Sequence, residues 1–423
     1  MDITKEKYWL PLCQKFSREI SYMSNVHKIS EQYSKPSKLP IGKLLAFTVA
    51  GFLTIMTEII PAGLLPLISK DLQVSEALAG QLISVYALGS VIAAIPVVAA
   101  TRSWSRKPLF LFAISGLFIF NSLTALSSNY FIILVSRFIA GMSAGIIWGI
   151  LVGYARNMVS VNQQGKAIAV VGVGQPIALC MGVPLATWLG SLFGWRGVFF
   201  VISVLALVLM IWIVISLPNF SGQRINNKHS IKDVFFQSGI RPILAVIFLW
   251  IFAHNILYTY ISPYLSSVHL SDHIDIVLLI FGLSSILGIW ITGTWIDRSL
   301  RGLTLMGLAG FALASILMGF SSGQTWIVII GIILWGATFG GAPTLLQTAI
   351  ADTAGDSVDI AQSMLVTVFN LAVAAGGIAG GVLLDKVGID SFFVSMATLS
   401  ITALSIVYLF CGNGFKSEAR LLG

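Results

Sequence analysis

The sequence predicts an all-helical polytopic membrane protein with twelve transmembrane helices. Hydrophobic residues make up 57% of the 423 positions, charged residues make up only 10%, and the mean hydropathy is +0.91. Soluble globular domains carry about 25% charged residues, so these values exclude a soluble core of this size. The apolar residues also occur in runs of about 20, the length that a helix needs to cross a bilayer.

Each apolar run is predicted to form one span, and mostly short polar loops separate the runs. The spans are expected to be helices, because a backbone in lipid must satisfy its own hydrogen bonds. The predicted spans cover residues 44–68, 78–100, 109–127, 130–154, 167–189, 198–217, 242–265, 274–296, 303–321, 325–350, 360–384 and 391–411.

The positions of lysine and arginine predict which side of the membrane each loop faces. With an even number of spans, both termini lie on the same side. If that side is the cytosol, all but four of the 25 basic residues are cytosolic: Lys70, Arg196 and Lys386 are external, and Arg137 lies within the membrane. The positive-inside bias therefore predicts a multi-pass protein of the cell inner membrane with both termini in the cytosol.

One long polar connection, residues 218–241, divides the chain into two halves. The two halves are predicted to be pseudo-symmetric, because Tyr86-Ala-Leu-Gly89 in span two aligns with Phe281-Gly-Leu-Ser284 in span eight. Transporters with such repeats bind their substrate between the repeats, near the midplane. The expected domains are a cytosolic tail at 1–42, six-helix bundles at 43–217 and 242–411 joined by the 218–241 linker, and a cytosolic tail at 412–423.

Two charged residues are predicted to lie deep in the membrane, Glu58 in the first span and Arg137 in the fourth. By helical rise, both lie about 10 to 15 Å from the external end of their spans. Charges at such depth are costly and mark candidate substrate or proton sites. Burial disfavours the charged form of a carboxyl group and a nearby cation favours it, so Glu58 is a candidate proton carrier. The alternatives are that Glu58 serves packing specificity, or that the two residues form a fixed salt bridge that positions helices.

Several motifs resemble those of the major facilitator superfamily. They are Thr57-Glu58-Ile-Ile-Pro61-Ala-Gly63-Leu-Leu-Pro66, Tyr86-Ala-Leu-Gly89, Arg137-Phe-Ile-Ala-Gly141, Gly182-Val-Pro184, Gly194-Trp195-Arg196, and Asn370 with Gly376-Gly377. Within that superfamily they are similar to the bacterial twelve-span drug:proton antiporter group, which includes sugar efflux, chloramphenicol-resistance and purine-nucleoside efflux permeases. The resemblance covers residues 43–411. It implies the major facilitator fold, export of small molecules in exchange for protons, and a role for Arg137 in proton transfer.

The substrate cavity is expected between the halves, with a few polar groups on apolar and aromatic walls that suit a small amphiphilic molecule. His254 is either a proton relay or a hydrogen-bonded structural residue. Tyr258 and Tyr260 either line the cavity or pack in the core. The candidate lining residues are Tyr86, Trp148, Gln175, His254, Asn255, Tyr258, Trp335, Gln347 and Asn370.

Gating is expected in span five and in the loops after spans two and eight. Prolines and glycines in span five are predicted to bend that helix and to permit movement. The loop after span eight keeps the glycine, acid and arginines of the family pattern, whereas Val98 and Arg102 replace the glycine and aspartate after span two. The resemblance therefore implies that the latch between states depends on Asp297. The candidate gating residues are Arg102, Arg106, Pro176, Gly182, Pro184, Gly293, Asp297, Arg298 and Arg301.

The sequence argues against several other classes of function. It contains no phosphate-binding loop and no catalytic cluster within its spans, so we expect neither an ATP-driven pump nor an enzyme. Cys13, Cys180 and Cys411 lack metal-ligand spacing, and we expect no metal and no cofactor. The dispersed basic residues argue against nucleic acid. The expected partners are a small molecule, protons and the lipid bilayer, and we expect a monomer; uptake by symport and a non-transporting membrane sensor remain open.

Overall fold

The computed structural model of the chain describes residues 39–94, 100–101, 103–160, 163–221, 230–321, 324–410 and 414–415. This described part is helical and contains no strand, which confirms the all-helical prediction. Residues 1–38 of the predicted tail, residues 222–229 of the predicted linker, Cys13, Val98, Arg102 and Cys411 lie outside the described residues.

The first, third and fourth predicted spans are single helices, the second is helical over its described residues up to Ala94, and the next two are continuous with each other. The helices of this amino half, residues 41–216, are α1 Ile41–Leu72, α2 Glu76–Ala94, α3 Arg106–Leu126, α4 Tyr130–Arg156, α5 Gln164–Gly172, α6 Gly174–Ile177 and α7 Val183–Ser216, with a π-helical turn at Ala178–Gly182 before α7. Within α7, Gly194 has φ 72° and ψ 163°, a conformation that glycine adopts without steric cost. This break separates the predicted fifth and sixth spans.

The carboxyl half, residues 240–409, follows a short helix in the connection. The helices are α8 Ile231–Phe236, then α9 Ile240–Thr259, α10 Ile261–Ser267, α11 Ile274–Gly319, α12 Thr325–Gly340, α13 Ala342–Ala354, α14 Val358–Lys386 and α15 Ser391–Leu409. Tyr260, with φ −113° and ψ 32°, interrupts span seven between α9 and α10. Ser299 has non-helical dihedral angles inside α11 and separates the predicted eighth and ninth spans.

Ten helical segments of the described chain are long and apolar enough to cross a membrane. Two of them, Gln164–Ser216 and Ser271–Gly319, contain 53 and 49 residues. A crossing needs about 20 residues, so each of these two segments can hold two crossings. The ten segments therefore accommodate the twelve predicted spans.

Glycines bring α2 and α4 into close contact. A side chain at Gly141 would overlap the main chain at Tyr86, and one at Gly145 would lie 2.5 Å from the main-chain oxygen of Ser90. Small residues at a spacing of four allow helix backbones to approach in this way. The packing places Tyr86 of α2 against Arg137 of α4.

Candidate functional site

Arg137 is fully buried and is held mainly by main-chain oxygens and aromatic rings. Its Nε donates to the main-chain oxygen of Leu82 at 3.2 Å, and its Nη2 donates to the main-chain oxygen of Glu58 at 3.3 Å. The guanidinium lies 4.6 Å from the centroid of the Tyr86 ring and 5.5 Å from that of Phe199. These contacts fix the cation in place without using a carboxylate, although Nη1 has no hydrogen-bond partner among the described residues.

Glu58 lies in the middle of α1 and is only 6% exposed. Its side chain interacts electrostatically with Arg137. Among the described residues, its carboxyl group makes no hydrogen bond and no ion pair, so the structure does not contain the fixed salt bridge that the sequence left open. The neighbouring Thr57 hydroxyl accepts a hydrogen bond from Asn121 Nδ2 at 3.0 Å. A carboxyl group in this position can gain or lose a proton without breaking a contact that holds the helices together.

Tyr86 is fully buried behind Arg137, and its hydroxyl donates to the main-chain oxygen of Thr54 at 2.9 Å. This bond joins α2 to α1. Tyr86 therefore supports the cation and connects two helices of the amino half.

In the carboxyl half, His254 and Asn255 are adjacent on α9 and are both at least nine-tenths buried. Trp335 Nε1 donates to His254 Nδ1 at 3.2 Å, which links α12 to α9. Asn255 Nδ2 donates to the main-chain oxygen of Ile251 at 2.8 Å, one turn earlier in its own helix. Tyr258, 2% exposed, stacks on the His254 ring with a centroid distance of 4.9 Å.

The other predicted lining residues differ in exposure. Asn370 is buried and donates to the main-chain oxygen of Val366 at 2.9 Å. Trp148 and Gln175 are half-buried, and Gln347 is exposed. The exposed Gln347 lies on α13, the helix that follows the break at Gly341. Among the predicted residues, the buried polar side chains lie on six helices, α1, α2, α4, α9, α12 and α14.

The predicted gating residues fall into buried and exposed groups. Gly182 and Pro184 are buried where the π-helical turn joins α7, with Gly182 against the Met56 side chain of α1, and Pro176 is half-buried. The half-buried Arg106 begins α3, and its main-chain N–H donates to Phe220 at 2.8 Å. Gly293, Asp297 and Arg298 are exposed in α11, and Arg301 Nη2 donates to the main-chain oxygen of Tyr408 at 3.0 Å.

Hydrogen bonds between the two halves form a contact that the sequence did not predict. Gln81 Nε2 donates to Tyr260 Oη at 3.2 Å and to the main-chain oxygen of Gly377 at 3.3 Å. Tyr260 Oη donates to the main-chain oxygen of Gly377 in its own half at 2.8 Å and also lies 3.2 Å from the main-chain oxygen of Ala77. Ser262 donates to a main-chain oxygen of α1 at 2.8 Å. We call the four contacts that cross between the halves the external seal, because they lie toward the predicted external end of α2 and α9.

Three glycines make room for the Tyr260 ring in this seal. A Cβ atom at Gly80 of α2 would overlap the ring, and Cβ atoms at Gly380 and Gly381 of α14 would lie 2.8 and 2.7 Å from Tyr260 atoms. Tyr260 is fully buried. The ring therefore fills a space that only glycines on the facing helices leave open.

A second polar cluster lies at the surface of the amino half. Arg196 forms an ion pair with Asp71 and donates to the main-chain oxygen of Ser127 at 3.0 Å. Its guanidinium lies 4.4 Å from the centroid of the Trp195 ring, and Trp195 Nε1 donates to Asp71 Oδ2 at 3.0 Å. This cluster connects the end of α1 with the loop before α4 and with α7.

Comparison with known proteins gives consistent matches along the chain. The family model described as Major Facilitator Superfamily matches residues 47–358 and 273–420. The chain is 30% identical over 372 residues to the transcription regulatory protein OpdE of Pseudomonas aeruginosa, covering 85% of this chain and 91% of that protein. It is 29% identical over 366 residues to the purine ribonucleoside efflux pump NepI of Escherichia coli, covering 86% and 92%. Among solved structures, the nucleoside transporter NupG superposes with a TM-score of 0.67 at 15% identity, covering 88% of this chain and all of that one.

Proposed function

Because the chain belongs to the Major Facilitator Superfamily, and is therefore a membrane transport protein rather than an enzyme, we propose that it exports a small organic molecule in exchange for protons. Membership confirms the resemblance seen in the sequence motifs. The proposal has four parts: the residue that carries the proton, the class of substrate, the direction of transport and the alternation between two conformational states.

The proton carrier is Glu58. The observation that carries this assignment is that Arg137 is held by main-chain oxygens and aromatic rings, while the Glu58 carboxyl group has no hydrogen-bond or ion-pair partner among the described residues. A permanent cation close to an unpaired, buried carboxyl group favours its charged form, and burial favours its neutral form. Because these two effects oppose each other, a small change in the surroundings of Glu58 during transport can make its carboxyl group bind or release a proton.

The similarity to a protein named as a purine ribonucleoside efflux pump supports export and supports a nucleoside-like substrate. Aromatic and polar side chains in the carboxyl half, including His254, Tyr258 and Asn255, suit a molecule with a flat ring and polar groups. The proposed location of the protein is the inner membrane, with both termini in the cytosol, as the distribution of basic residues predicts.

The external seal supports alternating access between two six-helix bundles, residues 43–217 and 242–411. Its four contacts join the amino half to the carboxyl half toward one end, so they must break before the substrate can leave on that side. The proposed cycle opens this end when substrate is released and closes it when the cavity faces the cytosol.

Reconstitution tests the coupling. Purified protein is placed in liposomes that contain a pH-sensitive dye, with inosine as the probe and arabinose as a second probe. We expect inosine-dependent proton movement for the unmodified chain and none for Glu58→Gln. The matched control is Glu76→Gln, which changes a half-buried carboxyl group at the start of α2 and is expected to leave the movement intact. Full proton movement by Glu58→Gln contradicts the assignment.

The same assay separates the alternatives. An inward proton gradient drives inosine out of the liposomes by antiport and into them by symport. A membrane sensor moves neither molecule, and this second function is favoured by the similarity to a protein named as a transcription regulator. Specific binding of a probe without any flux would favour the sensor.

A further inference from the structure

Four ring side chains surround His254 in the carboxyl half. His254 and Tyr258 lie one turn apart on α9, Phe281 lies on α11, and Trp335 and Phe339 lie one turn apart on α12. The His254 and Phe339 rings are parallel, with centroids 3.5 Å apart, and the Trp335 and Phe281 centroids are 4.6 Å apart. We call these five residues the ring cluster. All are at least nine-tenths buried.

The hydrogen bond between Trp335 and His254 determines which nitrogen of the imidazole carries a proton. An indole N–H can only donate, so His254 Nδ1 must accept and cannot carry hydrogen. A doubly protonated imidazole would turn two donors toward each other in a buried place, which costs the desolvation of both. His254 is therefore neutral, with its hydrogen on Nε2. This geometry disfavours the proton relay that the sequence left open.

The Nε2–H group of His254 is a donor without an acceptor among the described residues. The side chain retains 5% exposure, and both ring faces lie close to other aromatic rings, Phe339 and Tyr258. Nε2 is not one of the fully buried polar atoms that lack a partner, so this donor lies on the small part of the side chain that stays accessible. Its edge is the part of the imidazole that remains able to meet a ligand.

We propose that His254 is a specificity-determining residue that donates its Nε2–H to an acceptor atom of the substrate, a carbonyl oxygen or ring nitrogen on a flat heterocycle. Trp335 is a positioning residue, because it holds the imidazole in the donating tautomer. The other rings of the cluster supply apolar contact for the heterocycle. The inference rests on the proposed transport function, and it adds the residue that distinguishes a heterocyclic substrate from a plain sugar. Sites that hydrogen-bond a ligand reject analogues that lack the matching group, because the buried partner is then left unpaired.

Two substitutions by amide side chains test the roles of the two ring nitrogens of His254 one at a time. In His254→Gln the amide N–H lies near the former Nε2 position, whereas in His254→Asn the amide group lies near the former Nδ1 position and can accept from Trp335. Trp335→Phe removes the indole donor and keeps the aromatic ring. Binding is measured by calorimetry on purified full-length protein in detergent, with inosine and with D-ribose, the sugar of inosine without its base.

We expect the unmodified chain to prefer inosine to ribose and His254→Gln to keep most of that preference. His254→Asn and Trp335→Phe should weaken inosine binding by about 10-fold, the effect of one neutral hydrogen bond, and should leave ribose binding unchanged. Equal inosine affinity in the Gln and Asn variants, equal losses for inosine and ribose, or no inosine binding by the unmodified chain would overturn the proposal. The measurement needs no proton gradient, so a failure of Glu58 as proton carrier would leave its result intact.

Discussion

The Tyr260 hydroxyl offers the most direct way to perturb the external seal. In Tyr260→Phe the ring keeps its place among Gly80, Gly380 and Gly381. The bond from Gln81, the contact with the main-chain oxygen of Ala77 and the bond to Gly377 within the carboxyl half are lost. The hydroxyl has one hydrogen, and its nearest acceptor is Gly377, so the bond from Gln81 is the full hydrogen bond between the halves that is lost. Side-chain hydrogen bonds within membrane proteins contribute about 0.6 kcal/mol each on average. We therefore expect the ratio of open to closed molecules at this end to rise about threefold.

Spin labels on the two halves can measure this ratio. Ser75 and Ser271 are exposed in the loops at the predicted external side, and each accepts a labelled cysteine once the three native cysteines are replaced. Pulsed electron paramagnetic resonance then gives the distance distribution between the labels. Tyr260→Phe should increase the long-distance population relative to the short one.

Tyr154→Phe is the matched control for this measurement. The Tyr154 hydroxyl donates to the main-chain oxygen of Pro218 at 2.8 Å, and this bond does not cross between the halves. We expect it to leave the label distances unchanged. The same ratio in Tyr260→Phe as in the unmodified chain, or an equal rise in both variants, would refute the view that the seal sets the closed population.

Two further predictions concern the charged residues. Arg137→Lys replaces a planar guanidinium that binds two main-chain oxygens with a single ammonium group. The free energy of unfolding should fall by about 1.5–3 kcal/mol, and coupled transport should be lost. An unchanged melting temperature and unchanged flux would contradict this prediction. Asp71→Asn weakens the ion pair with Arg196. The Arg196 and Asp71 side chains are 30% and 45% exposed, so the free energy of unfolding should fall by at most about 1 kcal/mol, and the loss should shrink in high salt. A loss that is independent of salt would show that packing, not charge, holds the cluster.

The positions of the spans could be predicted from the sequence because hydrophobic length is a local property. The predicted span 130–154 corresponds to Tyr130–Arg156, and 391–411 corresponds to Ser391–Leu409. The first helix extends beyond its predicted end at residue 68, to Leu72, because Lys70 and Asp71 are polar residues that a helix end can carry at the membrane surface. The break at Tyr260 was not located, since hydropathy does not report backbone angles. In the fifth span the prolines and glycines predicted a bend, but not the π-helical turn at Ala178–Gly182.

The partners of the buried polar groups were harder to predict. Depth along the helix indicated that Glu58 and Arg137 lie at a similar level, and charge suggested that they form a pair. The guanidinium instead binds main-chain oxygens and covers the Tyr86 ring. Every residue has a main-chain oxygen, so no sequence pattern marks which of them will accept. The bond between Trp335 and His254 could not be predicted either, because it depends on how α12 packs against α9. From the sequence, Trp335 was therefore only one of several lining candidates.

One part of the external seal does leave a signal in the sequence. Pro66 has no N–H, so α1 cannot supply the usual donor to the main-chain oxygen of Ala62, four residues earlier. In a membrane an unsatisfied carbonyl group is costly, and another element must supply a donor. Ser262 of the carboxyl half does so at 2.8 Å. A proline within a membrane span therefore indicates where a polar side chain from a neighbouring helix is needed, and here that side chain belongs to the other half of the molecule. In the proposed cycle, Ala62 exchanges this partner for water when the halves separate, which ties the opening of this end to the entry of water.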